Sequence, residues 1–244
     1  MTGQPGLRRF LQPPADAGPA GPGAGAPATI ARAGPGSPAA APGGSVAPGP
    51  APGQAQETCE MCAAPVGPVH GHVADLEHST LACACRACYL LFTDAGAGRG
   101  RYRAVPERYL HDPARPLTAA EWAELDVPVG LAFFLNSSRL GQVCGFYPSP
   151  AGATECTLDL EAWARLSQAH PLLAIPEDDV EAVLVNRAGD DVECFLVPID
   201  ACYELAGRMR LLWQGFDGGA EARQSIDEFL GSVRARAREL AREP

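Results

Sequence analysis

Two pairs of short apolar segments predict the main sheet of this protein. The segments are residues 129–135, 140–147, 180–185 and 192–197. Residues 136–139 join the first pair with polar side chains that readily form turn hydrogen bonds, and residues 189–191 join the second pair through a glycine and two aspartates. Apolar runs of this length between turn residues are typical of buried strands. The pattern therefore predicts a core of four antiparallel strands.

Apolar residues at helical spacing predict four helices around these strands. Thr118-x-x-Glu121 is a capping box, and Asp159 is placed to cap a second helix that ends near Pro171. Asp200 and Ser225-x-x-Glu228 mark the expected starts of the last two helices. Their predicted buried positions are Trp122, Leu125, Trp163, Leu166, Cys202, Leu205, Ala206, Met209, Leu212, Trp213, Ile226, Phe229, Leu230, Val233, Ala237 and Leu240.

A smaller hairpin is expected nearer the amino terminus. Residues 89–92 form an apolar run, Gly96-x-Gly98-x-Gly100 provides a turn, and residues 101–105 suit a returning strand. The glycine spacing fits no nucleotide-binding loop. The predicted fold is α+β: a small cysteine-clamped β module of the zinc-ribbon or rubredoxin type (57–105), then an antiparallel sheet covered by helices (106–244).

Composition separates residues 1–56 from the rest. This stretch contains 12 prolines and 12 glycines and few large apolar side chains, so it is expected to be a disordered tether. One segment, residues 6–11, places two arginines among large apolar residues. A candidate protein-docking motif is formed there by Leu7, Arg8, Arg9 and Phe10.

Charge and hydropathy limit the classes of partner. Residues 57–244 contain 16 of the arginines and 28 of the acidic residues, a net charge of −12, which repels nucleic acid and favours a protein partner. No stretch reaches the roughly 18 apolar residues of a membrane span. The amino terminus lacks the apolar stretch of a signal peptide. We therefore expect a cytoplasmic protein.

Five cysteines between residues 59 and 88 carry the strongest chemical signal. Cys59-x-x-Cys62 and Cys85-x-x-Cys88 are two hooks separated by 22 residues, a spacing that brings four thiolates around one ion. Structural or disulfide-bonded cysteines are the alternative. Paired hooks in a reducing compartment favour the metal site.

The ligand set leaves the ion open between zinc and iron. Zinc would only fasten the hooks together, whereas iron in the same cage would carry one electron. The glycine that commonly follows such hooks is replaced by Ala63 and Tyr89, which weakens the match to either standard template. Zinc is the expected ion and iron the alternative.

Nearby residues provide alternate ligands. Cys83 lies two residues before Cys85 and would share its face on an extended segment. His70 and His72 lie between the hooks, and either side chain is able to complete a mixed site. Cys83 and His72 are the stronger alternates.

The remaining polar and thiol groups predict no catalytic site, and the chain is not expected to be an enzyme. It has no nucleophile elbow and no zinc-protease helix. The acids near residues 178–181 and 190–191 fall at strand ends, where solvated turn positions are expected. Four further cysteines lie in apolar surroundings and are expected to act as small hydrophobes: Cys144, Cys156, Cys194 and Cys202.

A connection rich in proline follows the second predicted strand. Residues 146–155 contain two prolines and two aromatic residues, which stiffen the chain. A rigid corner between strands is one interpretation. The other is a binding loop in which Tyr147 contacts a protein partner.

Several stretches resemble a known family. They are residues 7–10, the Cys59-x-x-Cys62 hook, and residues 81–92, 101–103, 131–134, 146–155, 184–187 and 196–200. Together they resemble an uncharacterised actinobacterial family of unknown function whose members are encoded beside high-affinity uptake nickel-iron hydrogenases. The resemblance implies an accessory role in hydrogenase assembly or electron transfer, with the hydrogenase or its maturation factors as partner.

These observations lead to two hypotheses. The first is a metal-binding accessory protein in which zinc held by Cys59, Cys62, Cys85 and Cys88 secures a module for protein recognition. The second is a rubredoxin-like electron carrier to or from a hydrogenase, with iron in the same position.

Overall fold

The computed structural model describes residues 57–94, 96–215 and 218–241. The strands are β1 (Gly71–Asp75), β2 (Thr80–Ala84), β3 (Tyr102–Ala104), β4 (Leu110–His111), β5 (Leu131–Ser137), β6 (Gln142–Ser149), β7 (Gly152–Cys156), β8 (Glu181–Ala188), β9 (Asp191–Pro198) and β10 (Arg238–Glu239). The helices are α1 (Arg86–Leu91), α2 (Ala119–Glu124), α3 (Leu160–Ala169), α4 (Pro171–Ala174), α5 (Ile199–Leu212) and α6 (Gly219–Arg236). The predicted tether and its docking motif lie outside the described residues.

The larger sheet contains the two hairpins that the apolar pattern predicts. Its strand order is β10-β4-β9-β8-β5-β6-β7, and every neighbouring pair is antiparallel except β10 with β4. The predicted four-strand core is confirmed as β9-β8-β5-β6. Residues 146–155 are not a loop: they form the end of β6, a short turn and β7, with Tyr147 paired to Thr154.

Alternating side chains of the central strands enter two separate cores. Phe133 and Leu184 pack with α5 and α6 on one face, and Phe134 and Val183 pack with α2 and α3 on the other. Ala74 of β1 belongs to the first core, so the small sheet also covers that face. The α+β class is therefore confirmed, with helices on both faces of a mostly antiparallel sheet.

Two of the four predicted helix starts are confirmed. The Thr118 capping box is complete, and the Asp159 carboxylate accepts hydrogen bonds from the backbone of Glu161 and Ala162. Asp200 was the wrong cap, because α5 begins at Ile199 after Pro198 and Asp200 contacts His72 instead. The final helix begins at Gly219, six residues before the predicted start.

The last helix also ends earlier than the apolar stripe indicates. Ser225 lies buried in its middle rather than at its start, because the buried Ala222 extends the inward face by one turn. The helix ends at Arg236, and Ala237 is extended. Leu240 follows β10 and donates its backbone N–H to His111, so its position is set by sheet pairing.

The small sheet differs from the predicted hairpin. Its order is β2-β1-β3, so the returning strand pairs with β1. The apolar run 89–92 is not a strand, because residues 86–91 form α1. Leu90 and Leu91 point to solvent, whereas Cys88 is buried and Tyr89 half-buried. The run of four apolar residues does not reveal which of them face solvent, since it contains no polar position that would mark the exposed side of a helix.

Glu181 corrects the expectation that the acids near the strand ends are solvated. Its side chain is fully buried at the start of β8. The carboxylate accepts two hydrogen bonds from the Arg108 guanidinium and one from the backbone of Glu177. Arg108 also donates to the carbonyl of Ile175. The pair therefore ties the segment before β4 to the central strand.

No helix within residues 57–94, 96–215 and 218–241 has both the length and the apolar character that crossing a bilayer requires.

We predict that Arg108→Leu lowers the free energy of unfolding by about 3 kcal/mol, because it leaves the buried Glu181 carboxylate without its cation. Urea denaturation measures the effect. The matched control is Arg165→Leu, which removes the exposed ion pair with Glu124 and should cost at most about 1 kcal/mol. Equal losses in the two variants would contradict the role given to Glu181.

Candidate metal centre

The four cysteines of the two predicted hooks meet in the structure. The sulfur atoms of Cys59, Cys62, Cys85 and Cys88 all lie within 4.8 Å of one another, and those of Cys62 and Cys85 are 3.7 Å apart. Sulfur ligands about 2.3 Å from one zinc ion are spaced at roughly 3.8 Å in a tetrahedron. The group therefore has the composition and spacing of a tetrathiolate site.

The first hook is a tight turn with two backbone hydrogen bonds. Cys59 donates to the carbonyl of Ala64, and Ala63 donates to the carbonyl of Cys59, both at 2.7 Å. Ala63 has a φ of 61°, in the left-handed region that favours glycine. The turn therefore forms without the usual glycine, and an alanine bears the conformational cost.

Glu60 attaches this turn to the edge of the small sheet. Its backbone N–H donates to the carbonyl of Cys83, and its carboxylate accepts from the N–H of Cys83. Glu60 therefore makes hydrogen bonds to both the N–H and the carbonyl of Cys83. This places the first hook beside the end of β2, where the second hook begins.

The second hook lies at the start of α1. Cys85 occupies the N-cap position with an extended backbone, and Cys88 follows one turn later on the buried side. Three residues separate neighbours on a helix face, so both thiols point the same way. The zinc-ribbon or rubredoxin-like arrangement is not confirmed, because one of the two hooks is helical.

Tyr89 fixes the position of α1 over the small sheet. Its hydroxyl donates to the carbonyl of Val105, and its ring lies against Gly71 of β1. A β-carbon at residue 71 would lie 2.5 Å from this ring, so only glycine permits the approach. The replacement of a hook glycine by Tyr89 thus has a packing role.

The electrostatics of the four thiols differ. Burial raises the pKa of Cys59, but backbone hydrogen bonds from Cys85, Met61 and Cys62 outweigh it and lower the pKa to about 6. The pKa of Cys88 is raised to about 12, first by its hydrogen bond to Cys62 and then by burial. Without a cation, the sulfurs therefore do not all ionise together at neutral pH. A soft divalent ion would compensate four thiolates at once.

The alternates Cys83 and His72 do not join this group. They form a second group with His70, again with the candidate ligand atoms within 4.8 Å of one another. Burial lowers the pKa of His72, but hydrogen bonds to Asp200 and Cys83 raise it to about 9. The two histidines thus group with Cys83 and not with any sulfur of the hooks.

Asp200 and Glu60 are the residues near these groups that sequence reasoning missed. Asp200 lies 128 positions from His72, and no local pattern indicates their contact. Glu60 is inside the first hook, and only the fold reveals its bond to Cys83. A third group contains the buried Asp75 with the exposed Glu77 and His78. There the Asp75 carboxylate already accepts hydrogen bonds from Arg101 and from the backbone of the turn.

Among the described residues, none of the other predicted ones belongs to the centre. Tyr147 is half-buried in β6 and packs against the second core. Leu7, Arg8, Arg9 and Phe10 lie outside the described residues. Burial raises the pKa of the four remaining thiols, which are Cys144, Cys156, Cys194 and Cys202. The pKa of Cys194 is raised to about 12.

Comparison with known proteins gives one match. No curated protein and no solved structure matches the chain. A family model described as a family of unknown function, DUF5947, matches residues 58–237, which include both hooks and every strand of the larger sheet except β10. The match agrees with the expected resemblance to a family of unknown function. Since it covers most of the sequence, the chain belongs to the DUF5947 family.

Proposed function

We propose that this protein is a metal-binding accessory protein whose zinc ion, held by the four hook cysteines, secures a surface for protein recognition. The observation that carries the proposal is the convergence of the four sulfurs. Zinc in such a site has no open position and contributes folding energy. All nine cysteines lie in the described part of the chain as free thiols, so the hooks are available as ligands.

Features of the surface support protein recognition. Leu90 and Leu91 are consecutive on α1 and expose 50% and 65% of their area, directly after the second hook. The acidic charge of residues 57–244 disfavours nucleic acid. The partner we propose is a nickel-iron hydrogenase or one of its maturation factors, on the basis of the resemblance. A reducing cytoplasm would keep the hook thiols available.

A second candidate function is electron transfer through iron in the same cage. The observation that favours it is the exposure of Cys62, which places one sulfur of the site at the surface. An iron tetrathiolate there would supply one-electron chemistry. The residues around it would then position a donor or acceptor within reach of Cys62.

Replacing Cys85 by serine should release the ion. The expected loss in zinc affinity exceeds the ~10–100-fold that removal of an outer-shell partner costs, because a direct ligand is lost. Metal analysis after dialysis against a competing chelator measures the effect. Cys156→Ser is the matched control, since this thiol on β7 lies outside the cluster. Equal zinc retention in both variants would refute the ligand assignment.

The ion itself is identified by colour and elemental content. Protein purified without oxygen is expected to be colourless and to contain zinc that is lost with Cys85. A red protein that contains iron and bleaches on reduction would instead establish the electron carrier. The measurement is a visible spectrum of the oxidised and reduced protein, paired with metal analysis of the same sample.

The partner proposal is tested with a truncated chain. Deletion of residues 1–12 removes the candidate docking motif and should abolish co-purification with the hydrogenase, while zinc content is unchanged. Deletion of residues 13–24 is the control, because it removes an equal length without the motif. Full binding by the chain that lacks residues 1–12 would overturn the role of Leu7, Arg8, Arg9 and Phe10.

A further inference from the structure

His70, His72 and Cys83 converge on one point. His72 and Cys83 are directly paired residues of β1 and β2, so their side chains share a face. His70 immediately precedes β1, and its ring centroid lies 5.0 Å from that of His72. One ligand atom from each residue lies within 4.8 Å of the others. Two imidazoles and one thiol thus offer three ligands to one metal ion.

The hydrogen bonds of the two histidines orient them as metal ligands. His70 Nδ1 lies 2.8 Å from the carbonyl oxygen of Gly67, which can only accept, so Nδ1 carries the proton. His72 Nδ1 lies 2.7 Å from the Asp200 carboxylate. Metal-binding histidines commonly hold one ring nitrogen in this way, and the other nitrogen faces the ion. In His70 the nitrogen left for an ion is Nε2, and in His72 the ring also makes a hydrogen bond to Cys83, a contact that an ion between the two side chains would replace.

One of these nitrogens lacks a hydrogen-bond partner. His70 Nε2 is buried and has no hydrogen-bond partner among the described residues. Its side chain is only 10% exposed, and Cys83 is 6% exposed. A buried acceptor without a partner is costly, and an ion between the three side chains would remove that cost.

This group is separate from the four hook cysteines. His72 and Cys83 lie on the same face of the small sheet as Ala74 and Leu81, which belong to the first core. The neighbouring positions Val73 and Ala84 point to the opposite face and pack with Cys59 and Cys88. Side chains alternate along a strand, so the two groups lie on opposite faces.

We propose that His70, His72 and Cys83 form a second metal site, which binds a divalent ion of the zinc class and leaves a fourth position open. Nitrogen and sulfur donors suit such an ion. Three protein ligands with an open position are the arrangement of a reactive or exchangeable site rather than a closed one. The proposal does not depend on the function proposed above.

A cavity lies beside His70. It has a volume of about 300 Å³ and is lined in part by His70, Cys85, Tyr89 and Glu107. One ligand residue of each site therefore borders the same cavity. A water molecule or another small oxygen donor is the expected fourth ligand.

Cys83, His72 and Asp200 also match the order of nucleophile, base and orienting carboxylate. That alternative gives His70 Nε2 no partner, and the 6% exposure of Cys83 leaves little room for a substrate. The metal site uses all three convergent side chains. Reactivity of Cys83 is therefore one of the outcomes that the experiment distinguishes.

Titration of the metal-free full-length protein with Co²⁺ under nitrogen tests the proposal. Tetrahedral Co²⁺ absorbs visible light, and thiolate ligands add charge-transfer bands that grow with the number of Co–S bonds. We expect two equivalents to bind the wild-type protein. Cys83→Ser and His70→Gln should each bind one, with the tetrathiolate band unchanged, which also reports that the hooks are still folded. Cys83 should resist iodoacetamide once the second equivalent has bound.

The matched control is His78→Gln, which changes the exposed histidine of the Asp75 group and should still bind two equivalents. Wild-type protein that binds only one equivalent would overturn the second site. So would two equivalents in Cys83→Ser, or rapid alkylation of Cys83 in the cobalt-saturated protein. Failure of the hook site has a different signature: the tetrathiolate band is absent while one equivalent remains sensitive to Cys83→Ser.

Discussion

The pairing of β1 with β2 is the constraint on which both cysteine groups depend. It ends β2 at Ala84, so Cys85 caps the start of α1 at a fixed point. The same register places His72 opposite Cys83. A shift by one residue would turn His72 and Cys83 toward the hooks and the apolar Val73 toward the larger core. Burial of Ala74 and Leu81 in that core therefore specifies the register and, through it, both groups.

Much of the fold follows from local sequence patterns. The hairpins of the larger sheet and the caps at Thr118 and Asp159 are marked by nearby residues, and they were predictable. Asp200 and Glu181 were not, because the partner of each is distant in sequence: His72 for one and Arg108 for the other. Acidic residues at element ends have the same appearance in a sequence whether they are solvated, capping or buried with a cation.

The sequence likewise predicts some features of the cysteine hooks and not others. Their spacing predicts that four thiols meet, and they do. It does not predict that the second hook is helical, because Cys-x-x-Cys suits both a turn and the first turn of a helix. It also does not assign Cys83, whose side chain follows the alternation of β2 up to Ala84. The change from strand to helix at Cys85 separates two thiols that a continued strand would have kept on one face.

Glu60 connects the two groups mechanically. It belongs to the first hook, yet it holds both the N–H and the carbonyl of Cys83. An ion among the hook cysteines would restrain Glu60 and, through these bonds, the backbone that carries the Cys83 thiol. Any displacement of Glu60 on binding of an ion by the hooks would therefore reach the backbone of Cys83 through these two hydrogen bonds. The link runs through the backbone, without any sulfur shared between the two groups.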